Sequence, residues 1–184
     1  MTTFLDILTE IKDLLLSNIP AFDKGFAYAR LDTNKGLTVT QGKEAQYVGI
    51  TDVEGDYFYI RIPYVANGSY NNVITSTAAK SKQDCAVSIV QKCPCMLVAV
   101  MKDADEFRLT DALVNELLKT KVIDVKAVWI DTVTIVEQEF KGLEKDAVES
   151  VKARISDRTI VRVDFDITRN FETHNCTYQI CKPC

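Results

Sequence analysis

From Phe4 to Leu15 the apolar residues Phe4, Leu5, Leu8, Ile11, Leu14 and Leu15 recur at three- and four-residue spacing, with Asp6, Glu10 and Asp13 mostly between them. That spacing lines one side of a 3.6-residue period and predicts an amphipathic opening helix. Thr2 or Thr3 can accept a bond from the free N–H groups at its start, and Ser17-Asn18 followed by Pro20 ends it. Beyond it the period shortens to two. Phe26–Leu31 and Leu37–Thr40 flank Asp32-Thr33-Asn34-Lys35-Gly36, whose Asn and Gly tolerate positive φ, so a hairpin is expected. A second hairpin is expected from Tyr47–Thr51 and Tyr57–Tyr64 around Asp52–Asp56, where Phe58, Ile60 and Ile62 alternate with Tyr57, Tyr59 and Arg61. Pro63 cannot donate to a ladder, so this strand should lie at an edge or end nearby.

Residues Ala66 to Asp84 follow no period and carry only Tyr70, Val73 and Ile74 as substantial apolar side chains. A stretch of this kind predicts a long polar loop or arm, the sort of segment that usually serves function. Cys85–Val90 reads as a strand that Lys92-Cys93-Pro94-Cys95 interrupts. Met96–Met101, apolar on both strand faces, reads as a separate central strand. Asp103–Glu106 is expected as a turn, with Thr110-Asp111 capping a helix that carries Leu113, Val114, Leu117 and Leu118 on one side. Val125–Phe140 reads as a long strand with a bulge near Asp131-Thr132, beside Trp129. Leu143, Ala147, Val148, Val151 and Ile155 then return to helical spacing. In Ile160–Arg169, Val161, Val163, Phe165 and Ile167 alternate with Arg162, Asp164, Asp166 and Thr168, giving an edge-like strand with one buried and one wet face.

The fold expected from these elements is α+β, a mixed and mostly antiparallel sheet carrying the N-terminal helix and two further helices, plus the long polar loop. It forms a single domain over 1–169, with 66–84 as the loop or arm and 170–184 as a cysteine-rich tail or short strand. Composition agrees, since 184 residues with 47% hydrophobic and 26% charged positions suit one packed core. The net charge of -4 leaves no global positive field for phosphate backbones, so sequence-specific nucleic-acid binding is not expected. No apolar run approaches the roughly 20 residues of a membrane span. The N-terminus, with Asp6, Glu10 and Asp13 and no basic stretch, does not read as a secretory signal. Folding in a reducing cytoplasm is therefore expected, and the triplets Asn67-Gly68-Ser69 and Asn175-Cys176-Thr177 are set aside as glycosylation sites.

Candidate chemistry is sparse. Six cysteines stand at 85, 93, 95, 176, 181 and 184, the last three at Cys-x4-Cys-x2-Cys spacing after His174. Thiolates with one imidazole suit tetrahedral zinc, and Cys181-Lys182-Pro183-Cys184 has a ligand-pair gap. A second such pair is missing, and the one-residue gap of Cys93-Pro94-Cys95 is expected to direct its sulfurs to opposite faces. Free thiols are the stronger reading. His174 and Cys176 form a poor nucleophile and base pair in an extended tail. Asp164 and Asp166 share a strand face, where paired carboxylates can hold metal or divide acid and base roles. Arg162 and Thr168 share it too, which favours a solvated or subunit-facing surface. Asp103-Ala104-Asp105-Glu106 lacks the ligand spacing of a calcium loop. No glycine-rich phosphate loop or nucleophile elbow is present. No catalytic, cofactor-binding or metal-binding residue is assigned, no cofactor is expected, and the chain is not expected to be an enzyme.

Taken in order, the helix Phe4–Leu15, the strand Met96–Met101 followed by the helix Thr110–Lys119, and the closing strand Ile160–Arg169 resemble the tail-terminator and tail-completion proteins of tailed bacteriophages. The resemblance covers about residues 4 to 169, and the cysteine-rich tail departs from it. It implies a structural protein of the virion neck or tail, assembled in the host cytoplasm. Such a protein forms a homo-oligomeric ring between head connector and tail and contacts other neck, connector and tail proteins. DNA passes through such a ring, and no membrane is involved. A zinc-binding interaction domain built on the C-terminal Cys and His residues is the alternative.

Overall fold

A computed structural model describes residues 4–32, 36–41, 46–49, 53–62, 75–80, 86–130, 135, 149, 152–153 and 155–174 of the chain. Its elements run α1 (Phe4–Asn18), β1 (Lys24–Phe26), β2 (Ala29–Asp32), β3 (Gly36–Gln41), β4 (Gln46–Gly49), β5 (Tyr57–Arg61), β6 (Thr75–Lys80), β7 (Ala86–Lys102), α2 (Glu106–Leu118), β8 (Ile123–Trp129) and β9 (Arg158–His174). The main sheet has the order β1-β5-β7-β9-β8, with β6 also paired to β7, and β2-β3-β4 form a second sheet. Among the described residues only β1 against β5 is parallel, and the other pairs are antiparallel. The fold is α+β, as the periodicities indicate.

Two apolar layers flank the main sheet. On one face Ile7, Leu8, Ile11 and Leu15 of α1 and Leu109, Leu113 and Leu117 of α2 meet Phe58 and Ile60, Cys93 to Met101 at odd positions, and Val161, Val163, Phe165 and Ile167. On the other, Tyr57, Tyr59, Val98, Val100 and Ile160 meet Leu37 and Val39 of the small sheet, together with Ile135 and Ile155. Successive residues of a strand point to opposite faces, so Tyr57–Ile60 of β5 and residues 95–101 of β7, covered on both sides, are apolar at every position. The opening helix matches its expected span, although Leu5 lies on an exposed flank and Ile7 takes the core position.

Several expectations change. The first hairpin exists as β2 and β3, paired from Ala29↔Val39 to Asp32↔Gly36. The second does not: β4 pairs back onto β3, whereas β5 inserts between β1 and β7. The buried run Tyr57–Ile60 explains this, because a strand apolar on both faces needs neighbours on both edges and a layer on each side. Asp56 anchors its start, accepting from the Lys102 backbone N–H at 2.8 Å, and the Asp56 N–H donates to Asp23 at 2.9 Å. Gly55 beside it has φ 84°, which glycine adopts without strain.

The polar stretch 66–84 is not all loop, since β6 pairs with β7 from Thr75↔Lys92 to Lys80↔Val87. Backbone bonds to a long neighbour make a strand there without apolar periodicity. Pro94 does not divide β7, which runs unbroken and stays paired to β9 throughout. The helix α2 begins earlier than expected: Asp105, not Thr110, caps it, its carboxylate accepting from Phe107 and Arg108 N–H at 3.0 Å. Thr110 sits inside the helix. Asp103, with φ 54°, makes the turn before it.

The strand expected to reach Phe140 stops at Trp129, with its register shift between Val125 and Ala127. Ile135 is helical and buried, and the described residues of the expected helix, Glu149, Lys152, Ala153 and Ile155, are helical too. The amphipathic strand Ile160–Arg169 belongs to β9, which continues to His174. It is no edge, for β7 and β8 flank it.

Candidate functional site

The carboxylates Asp164 and Asp166 do share a face of β9, and each is claimed by a cation. Asp164 accepts from Arg162 Nε at 2.6 Å and Nη2 at 2.9 Å, and from Trp129 Nε1 at 2.9 Å. The Arg162 guanidinium also stands 5.8 Å from the Trp129 ring centroid. Two residues along, Lys126 lies 3.7 Å from Asp166 and pairs with Asp124. That pairing holds the Asp124 carboxyl below, and the Lys126 ammonium above, their ordinary values. Antiparallel pairing creates this row, because Trp129 stands across from Arg162 and Asp124 across from Asp166. With Asp164 taking three hydrogen bonds and Asp166 facing Lys126, the pair forms an ion-paired surface.

Cys93 and Cys95 are buried and free. Contrary to the expectation of opposed sulfurs, both lie on the α1 and α2 side of β7, since residues two apart in a strand share a face. The neighbouring Cys93 thiol, with burial behind it, pushes Cys95 up, and Cys95 in turn draws Cys93 down, while Cys93 Sγ donates to the Pro94 carbonyl at 3.8 Å and Cys95 Sγ to the Cys93 carbonyl at 3.7 Å. Both are sealed in the core at 0% and 2% exposure, the setting of structural rather than reactive thiols. His174 lies in β9, opposite Ala86. The other candidate zinc ligands, Cys85, Cys176, Cys181 and Cys184, lie outside the described residues. Among the described residues no three His, Cys, Asp or Glu side chains form a metal-binding group.

Sequence reasoning missed one polar junction. Arg158 Nη1 donates to the Gly55 carbonyl at 2.6 Å and lies 3.5 Å from Asp56, tying the start of β9 to the turn before β5. Gly55-Asp56 signalled a turn, but its partner is over a hundred residues away and carries no local signature. Tyr57 follows, and burial pushes its hydroxyl up to about 12 despite the nearby Arg158 charge.

A different surface stands out along β7 and β9. The pairing of β5 ends at Arg61↔Met96 and that of β8 at Ile123↔Ile167. Past those points, among the described residues, 86–92 and 168–174 have β6 as their only further strand partner, making a three-stranded arm about 24 Å long at strand rise, its base tied to the body by the Thr168 N–H on the Val122 carbonyl at 2.8 Å and by Arg169 over the Phe4 ring at 4.7 Å. On α2, Phe107 and Leu118 are 64% and 57% exposed and about three turns apart on one side of the helix.

The chain thus has an α+β fold whose main sheet is covered on both faces at β5 and the middle of β7 and continues into a β arm. No protein-family model and no curated protein matches it.

Proposed function

We propose that the chain is a structural subunit of the head-to-tail junction of a tailed phage, a neck or tail-terminator protein acting through assembly of a homo-oligomeric ring. The observation that carries this reading is the three-stranded arm. Subunits of a closed ring need an element that reaches a neighbour, and strand edges serve that purpose. Exposed Phe107 and Leu118 add apolar contact points on a second surface. Its partners are further copies and the adjoining connector and tail proteins, its place is the virion, and its work is geometric rather than catalytic. A net charge of -4 suits a ring through which DNA slides, because few cations are present to hold phosphates.

The test is negative-stain microscopy with native mass spectrometry across a wide concentration range. Closed rings of one diameter are expected. A species that never exceeds a dimer under any of these conditions overturns the ring reading.

A further inference from the structure

Among the described residues β1, β2, β4, β6 and β8 each pair along one edge only, and they differ in how they discourage further pairing; β2 spans only Ala29–Asp32. Strand β1 spans only Lys24–Phe26 and β4 only Gln46–Gly49. Strand β8 carries a register irregularity after Val125 and an ion pair between Asp124 and Lys126. Short length, bulges and charged side chains are the devices by which proteins blunt strand edges. Strand β6 is six residues long, pairs with β7 without a register shift and carries a single charge, Lys80, at its very end. It is Thr-Ser-Thr-Ala-Ala-Lys, with small or β-branched residues from Thr75 to Ala79, and among the described residues it pairs only with β7.

We propose that β6 is a self-pairing edge, and that a second copy of this chain adds its own β6 antiparallel to it, joining two arms into one six-stranded sheet. In β6, Thr75, Thr77 and Ala79 lie on one face and Ser76, Ala78 and Lys80 on the other. A two-fold axis perpendicular to the sheet requires opposed residues to share a face, so the pairing centres on Thr77 or on Ala78. Centred on Thr77, Thr75 faces Ala79 of the second copy and Ser76 faces Ala78. Centred on Ala78, Thr77 faces Ala79 and Ser76 faces Lys80. Neither register sets Lys80 against Lys80, so the edge is electrostatically self-compatible. Main-chain hydrogen bonds supply the affinity, as in other strand-addition contacts. This contact does not rest on the ring reading, and it leaves α2 and β8 free for other neighbours.

The test uses two full-length variants, Thr77→Lys with Ala79→Lys and Thr77→Glu with Ala79→Glu. Both registers oppose the new charges to each other. Sedimentation equilibrium should give a dimer, or a multiple of it, for the unaltered chain. For each variant alone the dissociation constant should rise about tenfold or more, and an equimolar mixture should recover the association. In a second measurement on the unaltered chain, amide exchange at Thr75–Lys80 should slow as protein concentration rises. An unaltered chain that stays monomeric overturns the proposal. So do variants that keep the unaltered mass, or β6 exchange independent of concentration. Failure to form rings with β6 dimers intact would sink the ring reading alone.

Discussion

Pro94 of β7 stands directly across from Asp166 of β9, in the middle of two strands paired along their full length. Proline is normally excluded from interior strands because it withholds a ladder donor. Here the pairing with β6 stops at Lys92 and that with β5 starts at Met96, so, among the described residues, 93–95 have a strand neighbour on one side only. The proline occupies the one interior stretch of β7 that, among the described residues, carries a single ladder.

Leu97, by contrast, is paired to Ile60 on one side and Val163 on the other. Replacing Pro94 by Val is expected to change stability by less than about 1 kcal/mol, while Leu97→Pro should cost about 3 kcal/mol or more and abolish folding. Urea titrations followed by circular dichroism check both. Equal costs at the two positions would show that β7 is ladder-paired alike along its length.

Phe165 is fully buried in the helix-side core between the partners of β7 and β8. Phe165→Ala is expected to destabilise the fold by about 3 to 5 kcal/mol through lost transfer energy and a residual cavity. A near-neutral denaturation midpoint would mean that the odd positions of β9 do not face the core.

Asp164 collects hydrogen bonds from both Arg162 and Trp129. Asp164→Asn removes the charge that matches a guanidinium whose side chain is only 13% exposed, and should cost about 1 to 3 kcal/mol. Trp129 is the single tryptophan of the chain, so its fluorescence reports directly on this contact. The emission maximum should move in the variant, and an unchanged spectrum with unchanged stability would remove the indole from the Asp164 network.

Tyr57 has its folded value raised from 10.0 to about 12 by burial. A raised value means that the neutral form is favoured in the fold, so its contribution is complete below pH 10 and disappears as pH climbs through about 12. The linked loss is about 2 to 3 kcal/mol. Tyr57→Phe should flatten that limb of the stability curve. If the variant falls off as steeply between pH 10 and 12, another group governs alkaline unfolding.

Cys93 and Cys95 should resist a water-soluble thiol reagent in the native state and react on unfolding, because exposure rather than intrinsic reactivity limits them. A variant with serine at positions 85, 176, 181 and 184 isolates the pair. Two equivalents reacting rapidly in buffer would contradict their burial.

Periodicity alone determined α1, the buried alternation Val161 to Ile167 and the both-faced apolar run Met96–Met101, since each pattern has a period that only one element satisfies. It also determined that Asp164 and Asp166 share a face. Local chemistry marked the Gly55-Asp56 turn but not its partner. What the chain could not declare was pairing. That β5 lies between β1 and β7, that Thr75–Lys80 is a strand, and that β7 passes through Pro94 depend on residues far apart in sequence. A strand without apolar alternation is stabilised by the backbone of its neighbour, and a proline is tolerated where, among the described residues, the strand is paired on one side only. Such facts come into being only when the sheet assembles, because hydrogen bonds between strands are long-range interactions that no local spacing encodes.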